Sequence, residues 1–109
     1  GVVGSYRKIY DLLDYLNNCY REPISGVLIE EQLGGNFDYL NRIFRQTTGK
    51  TIFQYLTEVR ISHAKELLGT TSLKISQVSE KVGFSDESYF SKVFKKMTGM
   101  TPMNYMKSR

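Results

Sequence analysis

Apolar residues recur at helical spacing along almost the whole chain, and nowhere do they alternate as in a half-buried strand. Ile9, Leu12, Leu13 and Leu16 share one face of a segment from about Ser5 to Tyr20, ahead of Pro23. Ile52, Tyr55, Leu56, Val59, Ile61, Ala64, Leu67 and Leu68 mark a second long helix over about Thr51 to Leu68, ended by Gly69 and Thr70-Thr71-Ser72. Shorter apolar clusters flank two glycine-containing turns. Leu28 to Leu33 forms a leading helix before Gly34-Gly35, and Asn36 caps the helix that follows. Ser76 opens a helix carrying Val78 and Val82, and Gly83 permits a positive-φ turn. Ser85 or Asp86 caps the next helix, which runs to about Met97 and stops near Gly99. Thr101-Pro102 then starts one more short helix, with proline at its first position. The pattern predicts an all-α fold of about seven helices.

Two stretches of this pattern are copies of one another. Residues 39–55 align with 89–105, and Tyr39/Tyr89, Phe44/Phe94, Thr48/Thr98, Gly49/Gly99, Thr51/Thr101 and Tyr55/Tyr105 are identical. Basic character persists at Arg42/Lys92 and Arg45/Lys95, and aliphatic character at Ile43/Val93. Each copy is a helix, a short glycine-containing turn and a second helix, which is the helix-turn-helix pattern. The chain divides accordingly into residues 1–50 with the first pair, a linker helix over 51–70, and residues 71–109 with the second pair.

On a helical wheel the second helix of each copy has two faces. Leu40, Ile43, Phe44 and Thr47 turn inward, while Asn41, Arg42, Arg45 and Gln46 turn outward. In the second copy Phe90, Val93, Phe94 and Met97 turn inward, and Ser91, Lys92, Lys95 and Lys96 outward. Outward donors and cations suit a helix lying in the DNA major groove, where base edges and phosphates are within reach. A solvated polar face explains a single such helix equally well. Two of them, each second in a repeated helix-turn-helix, favour DNA. The linker helix, about 27 Å long at 1.5 Å per residue, is of the right order to space two reading heads by one DNA turn.

Composition narrows the function further. The chain has 109 residues, with 40% hydrophobic and 24% charged residues, which is ordinary for one or two small globular domains. It begins without methionine, as expected of a piece of something longer. No apolar run is long enough to cross a bilayer and no leader resembles a signal peptide, so a cytoplasmic location is expected. The net charge is +4, but residues 1–35 carry −2, residues 36–72 carry +2 and residues 73–109 carry +4. A basic region of this kind points to a polyanionic partner.

Cys19 is the only cysteine and His63 the only histidine, so neither a disulfide nor a metal cage is expected. No nucleophile–base constellation or phosphate-cradling loop is visible, so neither an enzyme nor a cofactor is expected. Met97, Met100, Met103 and Met106 fit core filling around the last helix. Arg60 fits a structural role, and Glu30-Glu31 a solvated one.

The stretches Arg60-Ile61-Ser62-His63-Ala64-Lys65-Glu66-Leu67-Leu68, Ile75-Ser76-Gln77-Val78-Ser79, Val82 through Lys96 and Gly99-Met100-Thr101-Pro102 closely resemble the signature of AraC/XylS-type transcription regulators. The resemblance implies the family's C-terminal DNA-binding domain, with two helix-turn-helix units joined by a long helix. It implies a first recognition helix using Asp38, Asn41, Arg42, Arg45 and Gln46. The second would use Glu87, Ser88, Ser91, Lys92, Lys95 and Lys96. Asn36 and Ser85, at the start of the two helices, complete the candidate DNA-binding set.

The first unit departs from the family pattern. Glu30 replaces a small buried residue and Gly35 an apolar one, which predicts looser packing of the leading helix. Asp38 either repels phosphate or accepts from a cytosine amino group. The expected partner is double-stranded DNA, with RNA polymerase a second candidate and no membrane. The fragment is expected to be monomeric, any dimerisation belonging to a domain outside it. The alternative function is a helical protein-interaction module that does not touch DNA.

Overall fold

Paired hydrogen bonds at the helix ends show why the two copies fold alike. Thr48 Oγ1 donates to the Phe44 carbonyl and accepts from the Lys50 N–H. Thr98 Oγ1 does the same with Phe94 and Met100. Gly49 and Gly99 follow with φ of 82° and 83°, and their N–H groups return to the Arg45 and Lys95 carbonyls. The left-handed residue closes each helix without a Cβ penalty.

In the computed structural model, which describes residues 2–109, these ends delimit seven helices and no strand. They are α1 (Val2–Cys19), α2 (Gly26–Leu33), α3 (Phe37–Thr48), α4 (Ile52–Thr70), α5 (Ile75–Lys81), α6 (Glu87–Thr98) and α7 (Pro102–Lys107). The chain forms two units, Gly1–Val59 and Arg60–Arg109, so α4 contributes its first two turns to one and its remainder to the other.

In the first unit α1 packs on α2 and α3. Its core is built from Leu12, Leu16, Ile29, Leu40, Phe44, Ile52 and Leu56, all essentially without exposure. In the second unit α5 packs on α6, and α6 on α7. Ile61, Ala64, Leu68, Val78, Val82, Phe90 and Phe94 are buried there. Burying each such large side chain stabilises the fold by about 1.5–3 kcal/mol. Edge-on aromatic pairs close both units, Phe44 with Tyr55 at 5.6 Å and Phe94 with Tyr105 at 5.4 Å.

Several boundaries differ from the sequence pattern. α4 runs through Gly69 to Thr70 because its last carbonyls find partners. The Thr70 and Thr71 hydroxyls donate to the Glu66 and Leu67 carbonyls, and the Arg109 guanidinium to those of Leu68 and Thr71. α5 starts at Ile75 rather than after Ser76, and Gln77 Oε1 accepts from the N–H of its cap, Lys74. The chain then turns at Gly83, with φ of 101°. Met97 and Thr47 are exposed rather than core, since the last turns of α6 and α3 leave the apolar interior, and Met103, near the start of α7, is exposed as well. Met100 and Met106 are half-buried.

Candidate nucleic-acid interface

Each second helix is anchored by a side-chain cap at its start. Asn36 Oδ1 accepts from the Tyr39 N–H at 3.0 Å. Asp86 Oδ1 accepts from Ser88 at 2.8 Å and from Tyr89 at 3.3 Å. The first unit adds a second acceptor, because Glu30 Oε2 lies 2.7 Å from the Phe37 N–H. Glu30 is half-buried, and it ties the leading helix to the start of the next instead of being solvated. The acid that predicts looser packing therefore supplies a link of its own. Counted from the caps Ser25 and Lys74, its position matches Ser79, which is buried in the second unit. Nothing in the sequence pattern marks Glu30 as a cap, since it lies seven residues before its donor.

The candidate residues divide by exposure. On α3, Asp38, Arg42, Arg45 and Gln46 are exposed, opposite buried Leu40 and Phe44. Asn41 is half-buried, and its Oδ1 accepts from the Ile52 N–H at 2.9 Å, so this oxygen caps α4. Asn36 is exposed but spends its oxygen on its own helix. On α6, Glu87, Ser88, Lys92, Lys95 and Lys96 are exposed, opposite fully buried Phe90 and Phe94. Ser85 is exposed just before the cap, and Ser91 is half-buried.

Lys95 and Lys96 lie in the last turn of α6, and Arg45 in that of α3, where the helix dipole favours cations. The resulting faces can donate hydrogen bonds and offset negative charge.

The two helices differ in how their central cation is held. The Arg42 guanidinium lies over the Tyr39 ring, 5.3 Å from its centroid. Tyr89, at the matching place on α6, instead meets Phe84 at 6.1 Å. Sequence reasoning passes over Tyr39, although its spacing of three residues from Arg42 puts the two side chains on one helix face.

Arg60 has a structural setting, half-buried with its guanidinium over Phe84 at 5.8 Å. Burial pushes its pKa below the ordinary guanidinium value. Cys19 is a half-buried free thiol. Among the described residues no His/Cys/Asp/Glu group could hold a metal ion, and no helix is long and apolar enough to cross a membrane.

A family described as helix-turn-helix domain matches residues 31–108. An uncharacterised HTH-type transcriptional regulator of Bacillus subtilis, YisR, is 36% identical over 101 residues, covering 93% of this chain and 35% of its own. The C-terminal domain of AraT, a response regulator from Geobacillus stearothermophilus, superposes with a TM-score of 0.90 at 30% identity, covering 94% of this chain and 85% of that one. A Chromobacterium violaceum transcriptional regulator, described among AraC-type DNA-binding domain-containing proteins, gives 0.84 at 28% identity, with 97% and 95% covered. The chain spans only about a fifth to a third of the length of the curated relatives it matches.

Proposed function

The chain belongs to the AraC family of helix-turn-helix regulators, and on that premise we propose that it binds duplex DNA sequence-specifically for a bacterial transcription regulator. In this reading α3 and α6 enter successive major grooves. One observation carries it: α6 holds Lys92, Lys95 and Lys96 exposed opposite buried Phe90 and Phe94, and α3 repeats the layout with Arg42, Arg45 and Gln46. An α-helix fits the major groove, and such side chains reach guanine and adenine edges and phosphates there.

The chain binds as a monomer in this proposal, since one molecule carries both reading helices, and the site need not be palindromic. RNA polymerase is the proposed second partner and the cytoplasm the proposed location.

Selection from a random duplex pool tests the reading. A motif with two boxes about one turn apart is expected, with affinity falling steeply as salt rises because phosphate contacts release counterions. Arg42→Ala and Lys92→Ala are each expected to weaken binding by about 1–3 kcal/mol if the side chain meets a base. Failure to retain any duplex at low salt overturns the proposal and favours a protein-interaction module.

A further inference from the structure

We infer that Tyr39 is a positioning residue for Arg42, holding its guanidinium pre-oriented so that α3 discriminates a guanine at one base pair. The inference rests on the DNA-binding reading above and adds a residue outside the recognition set.

The geometry is local to α3. Tyr39 and Arg42 are one helical turn apart, both exposed, and the guanidinium carbon lies 5.3 Å from the ring centroid. A guanidinium that stacks on an aromatic ring engages it through its face and leaves its N–H donors pointing outward in its own plane. Those are the donors that pair with O6 and N7 of guanine. An unsupported arginine must lose much rotamer freedom on binding, and stacking on Tyr39 removes part of that loss beforehand.

The second unit supplies an internal control. The tyrosine is retained at Tyr89, but its turn-mate is Lys92 and its ring packs against Phe84. Among the described residues no cation lies over Tyr89. Lys92 is a compact point charge without a fork to orient, so the second unit is built for charge where the first is built for planar geometry. Tyr39 is 43% exposed, so changing it leaves the core intact.

The test uses the duplex motif selected by the unmodified chain, with each base pair varied in turn. Y39L is expected to lower discrimination at one base pair by about fivefold to tenfold, within the range of one bidentate contact. The salt slope should stay unchanged because no charge is lost, and the variant should still melt cooperatively as a folded protein. Y39F should retain the discrimination. In an R42A background, Y39L should have no further effect.

In the free chain, the Arg42 Nε–H resonance should carry a ring-current shift that Y39L abolishes. Discrimination unchanged in Y39L, a Y39L effect that persists with R42A, or no ring-current shift overturns the inference while leaving the DNA reading in place. A chain that selects no motif overturns both.

Discussion

The two helix-turn-helix units keep their scaffold and change what is attached to it. Thr48 and Thr98, Gly49 and Gly99, and the edge-on pairs Phe44–Tyr55 and Phe94–Tyr105 repeat almost bond for bond. One difference is a compensated pair. In the first unit the Ile52 N–H opens α4 and is accepted by Asn41. In the second, Pro102 opens α7 with no N–H to satisfy, and Ser91 stands where the asparagine would be. Glu30 reaches the start of α3, whereas Ser79 in its place is simply buried. At the starts of α4 and α7, donor and acceptor have changed together.

The largest expected effect challenges the shared scaffold. Phe44→Ala and Phe94→Ala should each cost about 3–5 kcal/mol, as large-to-small changes at full burial do. Urea unfolding of the two variants should give losses within about 1 kcal/mol of each other. A markedly unequal pair would break the equivalence of the two cores.

Next comes the acceptor unique to the first unit. Glu30→Ala should cost about 1.5–3 kcal/mol, since a charge-assisted bond to the Phe37 N–H is lost, and Glu30→Gln should recover part of it. Equal stability of all three proteins would show that the bond contributes nothing.

The compensated pair can be separated and then moved. Asn41→Ala should destabilise by about 1 kcal/mol through the orphaned Ile52 N–H, and Ser91→Ala by under about 0.5 kcal/mol. Placing the first unit's residues in the second, as Pro102→Ile with Ser91→Asn, should show a favourable coupling of about 1 kcal/mol in a double-mutant cycle. Additivity would remove the compensation argument.

The smallest effect concerns a bridge with no counterpart. Lys50 pairs with Glu58 at the surface, where the second unit has Met100. Lys50→Ala should change stability by less than about 0.5 kcal/mol, because both partners are exposed. A larger loss in a thermal melt would mean that the units are less alike than their cores.

What could be read from the sequence follows the range of each interaction. Helix stops at Gly49 and Gly99, the caps Asn36 and Asp86, and Pro102 at a first position are local signals, and all stand in the structure. The exposure of Arg42, Arg45, Gln46, Lys92, Lys95 and Lys96 follows from the wheel. Inward placement of Met97 and Thr47 failed because a wheel assumes that the core extends the whole length of the helix.

Longer connections left no local mark. One short-range mark was missed as well: Lys74 is not a capping residue by type, and the start of α5 depends on Gln77 reaching back three residues. The extension of α4 through Gly69 depends on Arg109, about forty residues away. Asn41 reads as a DNA contact on its own helix, and only its approach to Ile52 reveals that its oxygen is engaged.

Pro102 has a consequence for how the protein can diversify. By dispensing with a donor, it releases position 91 from any duty in holding the domain together, whereas position 41 must keep an acceptor of one length. Under the proposed DNA reading, α6 is therefore free to retune that position over generations, and α3 is tethered to the choice it has already made.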